Sequence, residues 1–211
     1  MDFIEGRPIE SLETASQAQR DAAARTIIDL VLREMFQFGL MQIDPNFANY
    51  RYQEDSGRIV LLDFGAAREV GSRTAEGYRR LLRAGLDGDL AEVRDAAIAA
   101  GFLGVGAVAR HRSRIDAMIG VILREMNRDG PFDFGDRQFV ELLRDDGMAI
   151  AQDRDAWHVP PADVLYVQRK ISGTALLAAW LKARVNVREM IMPWLEMGRD
   201  VASPEAAGTV W

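Results

Sequence analysis

Apolar residues recur at helical spacing through most of the chain, and one short stretch breaks that rhythm. Ile27, Ile28, Val31, Leu32, Met35 and Phe36 form a stripe, with Arg20, Asp21, Asp29 and Arg33 outside it. That spacing predicts a long amphipathic helix over residues 16–38, ended by Gly39. Further helices are predicted near 73–86, 88–100, 106–128, 136–152, 161–184 and 187–198. Gly85, Gly101, Gly104 and Gly130-Pro131 punctuate them. The exception lies between the first helix and the rest. Tyr50 and Tyr52 alternate with Arg51 and Gln53, Asp55-Ser56-Gly57 supplies a turn, and Ile59-Val60-Leu61-Leu62 reads as a short buried strand. The fold class expected is therefore mainly α with one small β-hairpin, over residues 49–63. Asn49 and Asp63 should stand at the two open ends of that hairpin, close in space.

The remaining segments add less. Gly6-Arg7-Pro8 is a turn signal, so residues 1–10 read as a connector rather than a core element. Residues 11–200 read as one helical unit, and 201–211 as a frayed tail. Ala175-Leu176-Leu177-Ala178-Ala179-Trp180-Leu181 is apolar almost all round. It reads as a buried helix, with an exposed side facing a membrane or partner as the alternative.

Composition narrows the function classes. The 211 residues suffice for one substantial core. A net charge of −6, with Lys and Arg scattered, argues against nucleic-acid binding through general basicity. The absence of cysteine excludes disulfides, a thiolate nucleophile and a cysteine zinc site. No run approaches the ~20 apolar residues of a membrane span, and Met1-Asp2-Phe3-Ile4-Glu5-Gly6 lacks the marks of a signal peptide. The expectation is a cytoplasmic, acidic protein.

The candidate chemistry sits in the non-helical stretch. Asp44 precedes Pro45, which disfavours helix at Asp44 and holds it extended. A carboxylate there can orient an attacking hydroxyl or take its proton; it can equally be turn chemistry. Asn49 follows five residues later and offers a neutral oxygen of the kind magnesium takes. Asp63, a further fourteen residues on, ends the apolar run and opens Asp63-Phe64-Gly65. A charge there is costly unless paired or metal-bound. Phe64 is expected to anchor the turn in the core, and Gly65 to let the chain reverse. Asp, Asn and Asp-Phe-Gly in this order are what a phosphoryl-transfer site needs. The tripeptide alone says little, because it recurs at Asp133-Phe134-Gly135. That copy has no preceding strand pattern and no upstream Asn, and is read as a loop entering a helix. His111 and His158 are isolated and read as surface or capping residues.

The block Met41-Gln42-Ile43-Asp44-Pro45-Asn46-Phe47-Ala48-Asn49-Tyr50, with Val60-Leu61-Leu62-Asp63-Phe64-Gly65-Ala66-Ala67-Arg68-Glu69, resembles the AarF/UbiB atypical kinase-like family, in its coenzyme Q branch. The resemblance continues through Pro131-Phe132-Asp133-Phe134-Gly135, Arg169-Lys170-Ile171-Ser172-Gly173 and Leu181-Lys182-Ala183-Arg184. It implies the C-terminal lobe of a protein-kinase-like fold, with Asp44 as the catalytic acid. Asn49, Asp63 and Gly65 become cofactor-binding residues, and Asn49 and Asp63 the metal ligands, for ATP and Mg2+. Met1 to Gly6 would be the inter-lobe linker beside the adenine pocket. The family's Lys-x-Gly-Gln signature is not found in the chain, so a lone C-lobe with little turnover of its own is expected.

The resemblance further implies a kinase or ATPase supporting ubiquinone biosynthesis. Its partners would be a nucleotide, a lipid or quinone-precursor substrate and quinone-biosynthesis proteins, with no nucleic acid. Peripheral contact with the inner membrane stays open. The alternative is a non-catalytic binding or scaffold module. Aminoglycoside- or choline-type kinases are disfavoured by Gln42-Ile43 ahead of Asp44 and by Phe64-Gly65 after Asp63.

Overall fold

A computed structural model describes residues 5–197; expectations for Met1 to Ile4 and for the tail at 201–211 fall outside the described residues. The chain begins with β1 (Arg7–Pro8), followed by a 3-10 turn and α1 (Gln17–Arg33). Next come β2 (Leu40–Gln42), β3 (Tyr50–Gln53), β4 (Arg58–Leu61) and β5 (Ala67–Glu69). The helices α2 (Ser72–Asp87), α3 (Leu90–Ala99) and α4 (Val105–Met126) follow. Then β6 (Phe132–Asp133), α5 (Gln138–Gln152), α6 (Ala162–Trp180), β7 (Arg184–Val185) and α7 (Val187–Met197) complete the order.

The expected fold of a single hairpin within a lone C-terminal lobe is corrected. The described strands form three sheets: β1-β3-β4, β2-β5 and β6-β7, all antiparallel. Arg7 and Pro8 pair with Tyr52 and Arg51, so this part of the chain is an edge strand. Pro8 is tolerated there because an edge strand can forgo one donor. The reason for the miss is length. Strands of two or three residues carry no readable alternation, whereas the four-residue pair β3–β4 does. That pair forms as expected, with Tyr50 opposite Leu61 and Gln53 opposite Arg58, closed by a turn in which Gly57 has φ +66°.

Local signals explain the main helix. Ser16 caps α1: its hydroxyl accepts from the Gln19 amide, and the Gln19 side chain accepts from the Ser16 amide. This reciprocal capping satisfies two donors that the first turn leaves open. The helix does not run unbroken to residue 38. It widens into a π-turn at Glu34–Phe38 and stops at Gly39, which takes φ +61°. In α2, Gly85 does not end the helix as expected. A Cβ there would lie 2.8 Å from the Met126 methyl, so this glycine lets α4 approach, and Gly88 ends α2 instead.

The main core joins α1, α6, α7 and the hairpin, through Ile27, Leu32, Tyr50, Tyr52, Leu177, Leu181 and Ile191. Each such side chain contributes about 1.5–3 kcal/mol on burial. A second cluster, with Val31, Met35, Met41, Val70, Tyr78 and Val167, fastens β2 and α2 to the same framework. The apolar stretch at the end of α6 is two-faced, not buried all round. Leu177 and Ala178 are buried, while Leu176 is 66% and Trp180 48% exposed. No helix among the described residues is long and apolar enough to cross a membrane.

Candidate functional site

Two sheets frame the stretch from Asp44 to Gly65. β2 leads into Asp44, and its partner β5 leads away from Gly65, so the two chain ends are held side by side. The Ile43 amide donates to the Ala66 carbonyl at 3.2 Å, carrying the pairing past the strand ends. At the hairpin, the Leu62 amide donates to the Asn49 carbonyl at 3.0 Å, so Asn49 and the Asp63 turn are neighbours as the spacing required. Asp44 lies in an extended segment between β2 and the 3-10 turn at Phe47–Asn49.

The Asn49 side-chain amide donates to an Asp44 carboxylate oxygen at 3.0 Å. Only the nitrogen side of an amide can donate, so this bond fixes the amide's orientation. The Asn49 carbonyl oxygen is left on the other side of the same planar group. Asp63 Oδ1 accepts from the Gly65 amide at 2.7 Å, a tight Asx turn, which leaves Oδ2 for another partner. One Asn oxygen and one carboxylate oxygen form an all-oxygen donor pair. That is what magnesium takes from a protein when phosphates and water complete its shell. No cluster of three or more His, Asp or Glu suited to a metal occurs among the described residues, so this pair would not hold a cation without a ligand's own oxygens.

Phe64 differs from expectation: it is 61% exposed and does not anchor the turn. Leu62 is also exposed, at 45%, so the strand running into Asp63 is only half-buried. The hold on the turn comes instead from Gln42, whose side-chain amide donates to the Asp63 main-chain carbonyl at 3.3 Å.

The second Asp-Phe-Gly makes the same turn. Gly135 donates to Asp133 Oδ1 at 2.8 Å, and a short strand, β6, does precede it, contrary to the sequence reading. The difference lies in the second oxygen. Asp133 Oδ2 is taken by the Arg184 guanidinium at 3.1 Å, which closes that position to a cation. Neither histidine joins a metal-type cluster among the described residues. His111 sits at a kink in α4 and meets Asp153 at 2.8 Å, while His158 bonds the Gly101 carbonyl at 3.0 Å. Arg110 and His111 together hold the Asp153 carboxyl down at about 2.

Five residues near the site carry no role in the sequence reading. Arg169 Nη2 lies 3.9 Å from Asp44, an exposed pair worth little by itself. Gly173 of α6 supports the loop, because a Cβ there would fall 2.0 Å from the Pro45 Cβ. Glu34, Gln42 and Lys170 are buried polar side chains, at 4%, 3% and 0% exposure. Burial pushes the Glu34 carboxyl above its usual range, against the opposing pull of the Lys170 ammonium and the Gln42 amide. A sequence signal existed for two of them. Glu34 falls at i+3 from Val31 and Lys170 at i+3 from Val167, each on an apolar stripe where a charge stands out.

In comparisons with known proteins, the family model of the ABC1 atypical kinase-like domain matches residues 1–97. Among individual proteins, the chain is 30% identical over 191 residues to "Atypical kinase COQ8B, mitochondrial" from Rattus norvegicus, covering 90% of this chain and 36% of that protein. It is 30% identical to "Atypical kinase COQ8, mitochondrial" from Saccharomyces cerevisiae, covering 90% of this chain and 38% of that protein. It is 27% identical to "Probable serine/threonine-protein kinase abkA" from Dictyostelium discoideum, covering 88% of this chain and 34% of that protein. A solved structure, Rv3197 from Mycobacterium tuberculosis in complex with erythromycin, shares the fold. It has a TM-score of 0.69 and 21% identity, over 90% of this chain and 47% of that one.

The chain is therefore similar along most of its length to atypical kinases, and it spans about a third of the length of the curated relatives it matches. Coverage of about 90% of the chain, together with the β1-β3-β4 sheet, overturns the C-lobe-only expectation. The expectation of inactivity for want of a second lobe loses its basis with it.

Proposed function

We propose that Asp44, Asn49 and Asp63 form the site at which a magnesium nucleoside triphosphate is bound and its terminal phosphoryl group is transferred or hydrolysed, in support of isoprenoid quinone (ubiquinone) biosynthesis. The observation that carries this reading is the Asn49–Asp44 hydrogen bond at 3.0 Å, which leaves the Asn49 oxygen free beside the Asp63 turn. In this reading Asp44 orients the attacking hydroxyl or water and accepts its proton. Asn49 Oδ1 and the second Asp63 oxygen hold the cation, and Gly65 fixes the Asp63 turn through its amide. When bound, magnesium would offset the charge of the phosphates.

In this reading the substrate belongs to the lipid or quinone-precursor class. The segment between Gly65 and Ser72 holds only the short strand β5, which leaves little surface for docking an extended peptide. The exposed apolar side of α6, with Leu176 and Trp180, suits peripheral contact with a membrane from the cytoplasmic side. Similarity to COQ8-type atypical kinases supports the pathway.

The test is calorimetric binding of ATP to the purified protein with and without Mg2+. Binding is expected to require Mg2+. Asp63→Asn should weaken it by more than the 10–100-fold typical of losing a mere outer-shell partner. Asp44→Asn should retain binding and lose turnover. Equal affinity in the presence of a chelator would refute the reading.

A further inference from the structure

Lys170 is the most deeply buried charge in the described part of the chain, with a relative exposure of 0%. Its ammonium lies 3.3 Å from a Glu34 carboxylate oxygen, 3.2 Å from the Tyr50 hydroxyl and 3.5 Å from the Gln42 side-chain oxygen. Glu34 uses its other oxygen to accept from the Gln42 main-chain amide at 3.1 Å. Gln42 is thus held at both ends of the residue, through its backbone by Glu34 and through its side-chain oxygen by Lys170. The other half of its side-chain amide reaches the Asp63 carbonyl. Tyr50, the neighbour of Asn49, is held by the same ammonium.

We propose that Lys170 is a positioning residue for the site: with Glu34 it fixes Gln42 and Tyr50, and through them it sets Asp63 and Asn49 at the spacing a single divalent cation requires. The assignment rests on the site reading given above and deepens it. A buried ion pair is a poor source of stability, because desolvation of two charges offsets much of their attraction. Stability alone therefore does not account for a lysine in this place. The connections do: Gln42 touches the Asp63 carbonyl, Tyr50 directly follows Asn49 in the chain, and Glu34 holds the Gln42 main-chain amide. The same stretch of α6 adds two further supports. Gly173, three residues on, makes room for Pro45, and Arg169, immediately before Lys170, faces Asp44. Arg169, Lys170 and Gly173 form a platform beneath the whole loop.

The experiment measures binding of a non-hydrolysable ATP analogue across a Mg2+ series, by calorimetry. It compares the wild-type protein, Lys170→Met, and the double variant Glu34→Gln with Lys170→Met. Thermal denaturation is followed alongside. The double variant removes both charges, so no lone charge stays buried and its denaturation midpoint should recover towards wild type. Its Mg2+ midpoint should stay raised by about tenfold, in line with loss of outer-shell support, because the bonds to Gln42 and Tyr50 are still missing. Recovery of the Mg2+ midpoint together with stability overturns the positioning role and leaves the site reading standing. A wild-type protein without Mg2+-dependent binding overturns both.

Discussion

Gly173→Ala should injure this protein even though alanine is the better helix former. In an open helix the exchange is worth up to about 1 kcal/mol of stability. At position 173 the new methyl would fall 2.0 Å from Pro45 Cβ and 2.8 Å from Pro45 Cγ. Carbon atoms rest at about 3.5–4.0 Å, so roughly 1.5 Å of separation has to be created. The obstacle is a proline ring fixed to the backbone, so no rotamer change can open the gap. Either α6 or the Asp44–Pro45 loop must move. Overpacking of this kind costs about 1–3 kcal/mol or more, and subtracting a helix gain of up to about 1 kcal/mol leaves a net loss approaching about 2 kcal/mol. For a chain of this size a loss of about 2 kcal/mol lowers the denaturation midpoint by roughly 4–8 °C. Gly120→Ala in α4 is the control, since only the Arg124 guanidinium tip lies near, at 3.9 Å. It should raise the midpoint. The assay is thermal unfolding by circular dichroism of both variants. A Gly173→Ala protein as stable as the Gly120→Ala protein would refute the close approach of Pro45 to α6.

Two further outcomes follow from the site. Lys170→Met leaves Glu34 buried without its cation, and should cost about 3 kcal/mol in urea unfolding, within the range for breaking one side of a buried pair. Glu34 already has a carboxyl pushed upward by burial, so its folded state favours the proton. A raised carboxyl stabilises below its unfolded value and loses that contribution as pH rises through the folded one. The penalty should therefore be smaller at pH 5 than at pH 8, and a penalty independent of pH would contradict the buried carboxyl. Asp133→Asn should leave Mg2+-dependent nucleotide binding within about twofold of wild type, since Arg184 occupies that carboxylate. A loss matching that of Asp63→Asn would show that the second motif copy binds metal after all.

Much of the frame was legible from spacing. The stripe from Ile27 to Phe36 and the alternation at Tyr50 and Tyr52 are strong periodic signals, and both elements formed. What escaped was made of pieces too short to have a period. β1 has two residues, and β2 and β5 three each, and they exist because a neighbouring strand supplies hydrogen bonds, not because their sequence favours extension. Asp44 and Asn49 could be paired from their interval, but Gln42 could not be linked to Asp63 at all. That contact depends on β2 pairing with β5 across a separation local patterns do not encode. Phe64 shows the opposite failure. Its apolar character pointed inward, and the turn that Asp63 makes with Gly65 carries it outward.

The π-turn at Glu34–Phe38 has a consequence for reading related chains. A π-turn holds one more residue than an α-turn does, and α-helical residues are set about 100° apart. The spacing between Glu34 and Gln42 therefore includes a residue that an unbroken helix would not accommodate. A relative lacking one position between Leu32 and Gly39 would close this into an ordinary α-turn and keep the entry into β2. In such a chain the interval between the carboxylate facing the lysine of α6 and the strand is one residue shorter.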